Sequence, residues 1–206
     1  MQHTNIEIKA RSNNHPEIRN ILKDHHAEFI GTDHQVDTYF KVNFGRLKLR
    51  EGEIENHLIH YQRENQTGPK QSDVTLFKSN PGSSLKDILI KALGVLIIVD
   101  KTREIYFIDN VKFHLDSVKD LGSFVEIEAI DKSGTIGKDM LYEQCRFYLN
   151  LFNISEEDLI PVSYSDAKYK TDTRMRVLSP TFEEFGVDVV FSGHCHFYER
   201  SYPLKY

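Results

Sequence analysis

Charged residues recur two apart within stretches that alternate polar and apolar. Glu7/Lys9 lies in NIEIKAR, Lys48/Arg50 in GRLKLRE, Lys101/Arg103 in VDKTREIYFID and Glu126/Glu128 in SFVEIEAI. Tyr61/Arg63 and His114/Asp116 share the spacing. Strand side chains alternate faces, so each pair projects from one face. The residues between are mostly apolar: Ile6, Ile8 and Ala10; Leu47 and Leu49; Val125, Ile127 and Ala129. A single such pair is what a half-solvated antiparallel strand carries. Here, however, like charges are grouped, at Lys48/Arg50, Lys101/Arg103 and Glu126/Glu128. A curled sheet also turns one face inward, where charges need partners in one another or in a ligand. Six cations (Lys9, Lys48, Arg50, Arg63, Lys101, Arg103) face four acids (Glu7, Asp116, Glu126, Glu128). That set carries +2 in a chain of net charge −5. Arginine and lysine are natural partners of phosphate. Clustered carboxylates call for a hard, oxygen-loving ion such as Mg²⁺ or Mn²⁺. The pattern describes a site for a metal-bound polyphosphate.

The elements that must position these residues follow from periodicity. Residues 5–11 alternate as a strand, and HPEIRNILKDHHAEF reads as a helix, with Ile18, Ile21, Leu22 and His25 on one face and Pro16 in its first turn. QVDTYFKV and RLKLRE form a hairpin about NFG, HLIHYQRE and DVTLFKS are strands, and NQTGPKQSD is the polar loop between them. SSLKDILIKALG is a helix with Ser84 and Asp87 spaced as a capping box and Gly94 as its stop. VDKTREIYFID, VKFHLDSV and SFVEIEAI are three further strands. GKDMLYEQCRFYLNLF is a helix, and SEEDLI begins a short one capped by Ser155. The order lacks a βαβ rhythm, so the class is α+β, with about eight antiparallel strands in a curled sheet or barrel.

The 206 residues suffice for one domain with a core plus an attached fragment. The net charge argues against a general electrostatic hold on nucleic acid or a membrane surface. Two cysteines without framework spacing, no apolar leader and no long apolar run point to a soluble, cytoplasmic protein.

The ordered set NIEIKAR, DTYF, GRLKLRE, YQRENQTGPKQSD, KTRE, HLDSVKDLGSFVEIE and SEEDLIPVSY resembles the CYTH family of triphosphate tunnel metalloenzymes, over about residues 3–166. That family includes thiamine triphosphatases, inorganic triphosphatases and class IV adenylyl cyclases. The resemblance implies a closed eight-stranded antiparallel β-barrel, the triphosphate tunnel, with helices packed outside and occupying residues 1–168. It implies that Lys9, Lys48, Arg50, Arg63, Lys101 and Arg103 grip the triphosphate and that Lys70 lies on a loop that closes over it. Glu7, Asp116, Glu126 and Glu128 correspond to the acids around a Mg²⁺ or Mn²⁺ ion. The implied ligand is ATP, thiamine triphosphate or tripolyphosphate. Attack by water on the terminal phosphate makes a triphosphatase; attack by the ribose 3′-hydroxyl on the α-phosphate makes an adenylyl cyclase. One departure stands out: the family signature is Glu-x-Glu-x-Lys, and its first position here is Asn5, which supplies no charge. That substitution motivates a third reading, a non-catalytic polyphosphate- or nucleotide-binding module.

After Asp166, AKYKTDTRMR reads as a polar, basic linker. FGVDVVFSGHCHFYERSYPL then resembles the Gly-His-x-His end of calcineurin-like, purple-acid-phosphatase-like metallophosphoesterases, with His194 and His196 at the ligand and near-ligand positions. The companion ligand segments of such a site have no counterpart upstream. Residues 169–206 are therefore expected to be a linker and a truncated fragment without catalysis of their own.

Overall fold

The structure is a computed structural model and describes residues 2–172. Eight strands form a closed ring: β1 (Gln2–Arg11), β2 (Glu28–Phe40), β3 (Arg46–Glu51), β4 (His57–Gln62), β5 (Lys70–Lys78), β6 (Val95–Ile108), β7 (Val111–Val118) and β8 (Gly122–Asp131). Their order around it is β1-β5-β4-β3-β2-β6-β7-β8, every neighbour antiparallel. The expected barrel is therefore the fold. Gly45 ends the β2–β3 turn at φ +64°, where an added Cβ would sit 2.7 Å from the Tyr61 carbonyl oxygen. Glycine alone meets both demands.

Alternation places the two sets of side chains as periodicity requires. Ile6, Ile8, Ala10, Val111, Phe113, Leu115, Val125, Ile127 and Ala129 point out of the ring. They pack on α1 (His15–Asp24) through Ile18 and Leu22, and on α3 (Lys138–Leu151) through Leu141, Cys145 and Leu149. The intervening charged residues of β1, β7 and β8 are thereby committed to the inside.

Four local expectations change. The first helix ends at Asp24: His26 turns left-handed at φ +57°, the Ala27 amide bonds the Leu22 carbonyl, and β2 already begins at Glu28. In α2 (Leu85–Leu93), Gly94 is the stop, but the Ser84 side chain makes no capping bond and no residue is buried. The Ser155 hydroxyl bonds the Asp158 carboxylate rather than the backbone, and only a 3₁₀ turn, Glu156–Asp158, forms. Finally, part of the stretch read as a linker is helical, α4 (Tyr164–Asp172). Its pattern is weakly amphipathic; its first turn is held by Tyr164, whose ring packs 5.0 Å from that of Phe124, and by Asp166, which pairs with Arg46 at 2.8 Å. Among the described residues no helix is long and apolar enough to cross a membrane.

A charged interior as candidate active site

The inward side chains pair with one another, mostly between neighbouring strands, rather than facing water. Asp37 on β2 has no solvent exposure. It accepts two bonds from Arg50 at 2.8 and 3.0 Å, one from Lys48 at 2.8 Å and one from Lys101 at 3.1 Å. Burial opposes its ionisation, yet Arg50, Lys101 and Lys48 together hold its carboxyl well below the usual range. The Arg50 fork also reaches Glu55 at 2.7 Å, and Glu55 pairs with Lys112 from β7. Glu55 belongs to the β3–β4 loop, which the buried Asp33 carboxylate fastens by accepting the amides of Glu53, Ile54 and Glu55. Gly52 is required there, because a Cβ would lie 2.6 Å from an Asp33 oxygen.

A second knot joins β1, β6, β7 and β8. Arg103 donates to Asp116 at 2.6 and 2.5 Å and to Glu126 at 2.5 Å, and Lys9 pairs with Glu126 at 2.5 Å. Burial pushes the Asp116 carboxyl upward, but Arg103 prevails and sets it at about 2. The Tyr164 hydroxyl donates to Asp116 at 2.7 Å, and its ring lies 3.6 Å under the Lys9 ammonium. Glu7 pairs with Arg63, which follows β4. Arg63 nevertheless keeps Nε and Nη2 buried without a hydrogen-bond partner. Asn5, one inward position along β1, likewise has an unpartnered buried Oδ1.

Lys70 is not on a loop. It opens β5, is buried, and its ammonium bonds the carbonyls of Gln66, Ile160 and Pro161 at 3.3, 3.0 and 3.2 Å. Burial, with Arg63 and Lys9 nearby, lowers its pKa to about 7. The approach of Ile160 follows from the backbone, since its amide bonds the Lys9 carbonyl at 2.8 Å.

The inward sides of β7 and β8 bring His114, Glu126 and Glu128 together, with one ligating atom from each lying within 4.8 Å of the others. The imidazole Nδ1 stands 3.2 Å from Glu126 and 3.5 Å from Glu128. Burial and Arg103 lower the His114 pKa to about 4, so the ring is neutral near pH 7. One neutral nitrogen and two carboxylates form a donor set that fits a divalent cation. Of the four acids expected around a metal, Glu126 and Glu128 join this group, Glu126 while also paired with Lys9 through Oε1 and with Arg103 through Oε2. Glu7 is paired with Arg63, and Asp116 with Arg103 and Tyr164.

The seven expected basic residues all lie buried in or at the ends of this interior. Asp37, Glu55, Lys112, His114 and Tyr164 complete the network. Adding Lys70 and Lys112 to the cations and Asp33, Asp37 and Glu55 to the acids makes eight against seven, a balance of +1. Lys112 continues the His114/Asp116 alternation and Asp37 that of Gln35 and Tyr39, so spacing offered a signal for both. Glu55 and Tyr164 are placed by a loop and a helix start, for which spacing offers none. His194 and His196 lie outside the described residues.

The CYTH domain family profile matches residues 3–164. A Methanocaldococcus jannaschii protein named "putative adenylate cyclase" is 26% identical over 177 residues, spanning 79% of this chain and 97% of its own. Among solved structures, the PH1012 protein of Pyrococcus horikoshii superposes with a TM-score of 0.65 at 24% identity, covering 79% of this chain and 98% of that one. A Hippeastrum protein described as a putative adenylyl cyclase with a dominant triphosphatase activity superposes at 0.53 and 13% identity, over 82% and 96% of the two chains. These two likenesses carry the ring fold, and the profile carries the family. On that match, which spans the charged interior from Asn5 to Tyr164, the chain belongs to the CYTH family.

Proposed function

We propose that this chain is a metal-dependent triphosphatase that takes a triphosphate into its ring and hydrolyses the terminal phosphate. The family domain occupies residues 1–168, and residues 169–206 are an appended fragment without a catalytic part.

The observation that carries this reading is the uneven partnering of the buried cations. Arg50 and Arg103 spread their N–H groups over two carboxylates each, whereas Arg63 pairs, among the described residues, only with Glu7, through Nη1, and holds two buried nitrogens, Nε and Nη2, with no acceptor. A buried polar group without a partner costs about 1–3 kcal/mol, more when charged. Phosphate oxygens are the acceptors that a guanidinium fork matches best. Lys70 and Lys9, whose charges act on one another and on Arg63, extend that anion-binding edge. Lys48, Arg50, Lys101 and Arg103 supply the remaining positive wall and oppose charge gathering on the transferred and leaving phosphates. Asp37 and Asp116 keep those cations oriented in advance, so little reorganisation remains when substrate enters. A divalent ion, bound when present by Glu126 and Glu128 with Glu7 beside them, contributes Lewis-acid polarisation of phosphate oxygens. Hydrolysis asks only for water at the terminal phosphate. Cyclisation would also require a ribose hydroxyl fixed against the α-phosphate.

The test is to incubate the chain with tripolyphosphate, thiamine triphosphate and ATP, each with Mg²⁺ or Mn²⁺. Phosphate release supports the reading; cAMP would reassign it to cyclisation. Tight binding without turnover of any of them would leave a binding module. Glu126→Ala is expected to abolish turnover, and a silent substitution removes the metal site from that position.

A further inference from the structure

Deepening that metal-dependent reading, and resting on it, we propose that His114 Nδ1 is a direct ligand of the bound ion. The centre then holds one nitrogen and two carboxylates and selects a first-row transition-metal dication over Mg²⁺. None of the expected ligands is a histidine, so this changes the class of ion the site takes.

Three observations converge. The first is spacing. Donors about 2.1–2.2 Å from one ion at right angles are about 3 Å apart. Nδ1 stands 3.2 Å from Glu126 Oε2 and 3.5 Å from Glu128 Oε1. The second is the state of Glu128. Among the described residues it forms no ion pair with lysine or arginine, and the nearest basic side chain to its carboxylate is this imidazole, at 3.5 Å. A largely buried carboxylate left so is one that a cation would serve. The third is the surrounding unmet polarity. Arg63, whose buried Nε and Nη2 lack partners, feels the charges of Glu126 and Glu128, and Asn5 Oδ1 is also buried and unpartnered. Such groups mark a space built for something polar.

Without an ion, Nδ1–H donates to Glu126 Oε2 at 3.2 Å and Nε2 accepts from Arg103 Nη1 at 3.5 Å, the outer limit of a hydrogen bond. Binding an ion through Nδ1 moves the proton to Nε2, so the metal bond must replace both contacts. The shorter bonds of Arg103 go to Asp116 and Glu126 and do not involve the ring. Imidazole suits Fe²⁺, Ni²⁺, Cu²⁺ and Zn²⁺, whereas Mg²⁺ prefers oxygen and retains water.

The experiment uses the full chain loaded with one equivalent of Mn²⁺ and reads electron spin echo modulation, which detects a nitrogen bonded to the ion without any turnover. Wild type is expected to show ¹⁴N modulation, converted to the ¹⁵N pattern by ¹⁵N-histidine labelling, and His114→Gln is expected to lose it. Calorimetry on the His194→Ala/His196→Ala chain should give Ni²⁺ an affinity about tenfold or more above Mg²⁺, a preference that shrinks when His114→Gln is added. Bound Mn²⁺ without nitrogen modulation overturns the assignment while leaving the metal-dependent reading intact. Modulation that survives His114→Gln and vanishes in a His194→Ala/His196→Ala chain places the ion elsewhere and also overturns it. Failure of Mn²⁺ to bind at all sinks both. The labelled wild-type measurement needs no substitution, so it decides the matter even if a variant folds poorly.

Discussion

Replacing Asp37 by asparagine tests whether the interior is an ion network or a set of independent contacts. One carboxylate with no exposure accepts from three cations at 2.8–3.1 Å. Removing one partner of a buried pair costs about 3–5 kcal/mol, because the charge left behind stays desolvated. In a domain of this size about 1 kcal/mol moves Tm by about 2–4 °C, so Asp37→Asn should lower Tm by about 6–20 °C. The penalty belongs to uncompensated Lys48, Arg50 and Lys101, so deleting one of those charges must recover part of it. Asp37→Asn/Lys101→Met should be more stable than the sum of its single substitutions by about 1–3 kcal/mol. Tripolyphosphate should also raise the Tm of Asp37→Asn by more than that of wild type, since it replaces the missing anion. The assays are urea unfolding for the cycle and thermal melts with and without tripolyphosphate. Additive substitutions together with equal ligand-induced shifts would refute the network.

Two further substitutions probe single links. Lys70, at about pKa 7 against an ordinary value of 10.5, carries one proton fewer folded than unfolded between those limits. Stability should therefore rise with pH from about 7 to 10.5. An anionic ligand favours its charged form, so tripolyphosphate affinity should fall as pH rises through about 7. The ligand's own terminal ionisation, near pH 6, acts in the opposite sense. Lys70→Arg, always charged, should flatten the fall, and a profile unchanged by this substitution removes Lys70 from the anion edge. Tyr164→Phe deletes a buried bond to an ionised carboxylate and should cost about 1.5–3 kcal/mol in urea unfolding; an unaltered midpoint means α4 does not hold Asp116 in place.

The sequence by itself determined the strands, their inward faces and the composition of the wall. Alternation alone assigns Glu7, Lys9, Lys48, Arg50, Lys101, Arg103, Glu126 and Glu128 to one face each, because a strand has only two. What it could not decide is who pairs with whom. That depends on ring order and register: β2 lies between β3 and β6, so Asp37 meets Lys48 and Arg50 from its hairpin partner and Lys101 from a strand distant in sequence. Asp116, expected among the metal-binding acids, is claimed by Arg103 because those residues are register partners, while His114 stands opposite Glu126 for the same reason. Lys70 and Tyr164 show the limit most plainly. Local pattern puts one on a loop and the other just before a linker. Both are buried because the chain after α3 crosses back to pair Leu159 with Ala10. Periodicity reports the face a side chain occupies, whereas the contacts that give a charge its partner are made between strands whose adjacency is set by the closed ring, where separation along the chain often carries no local signal.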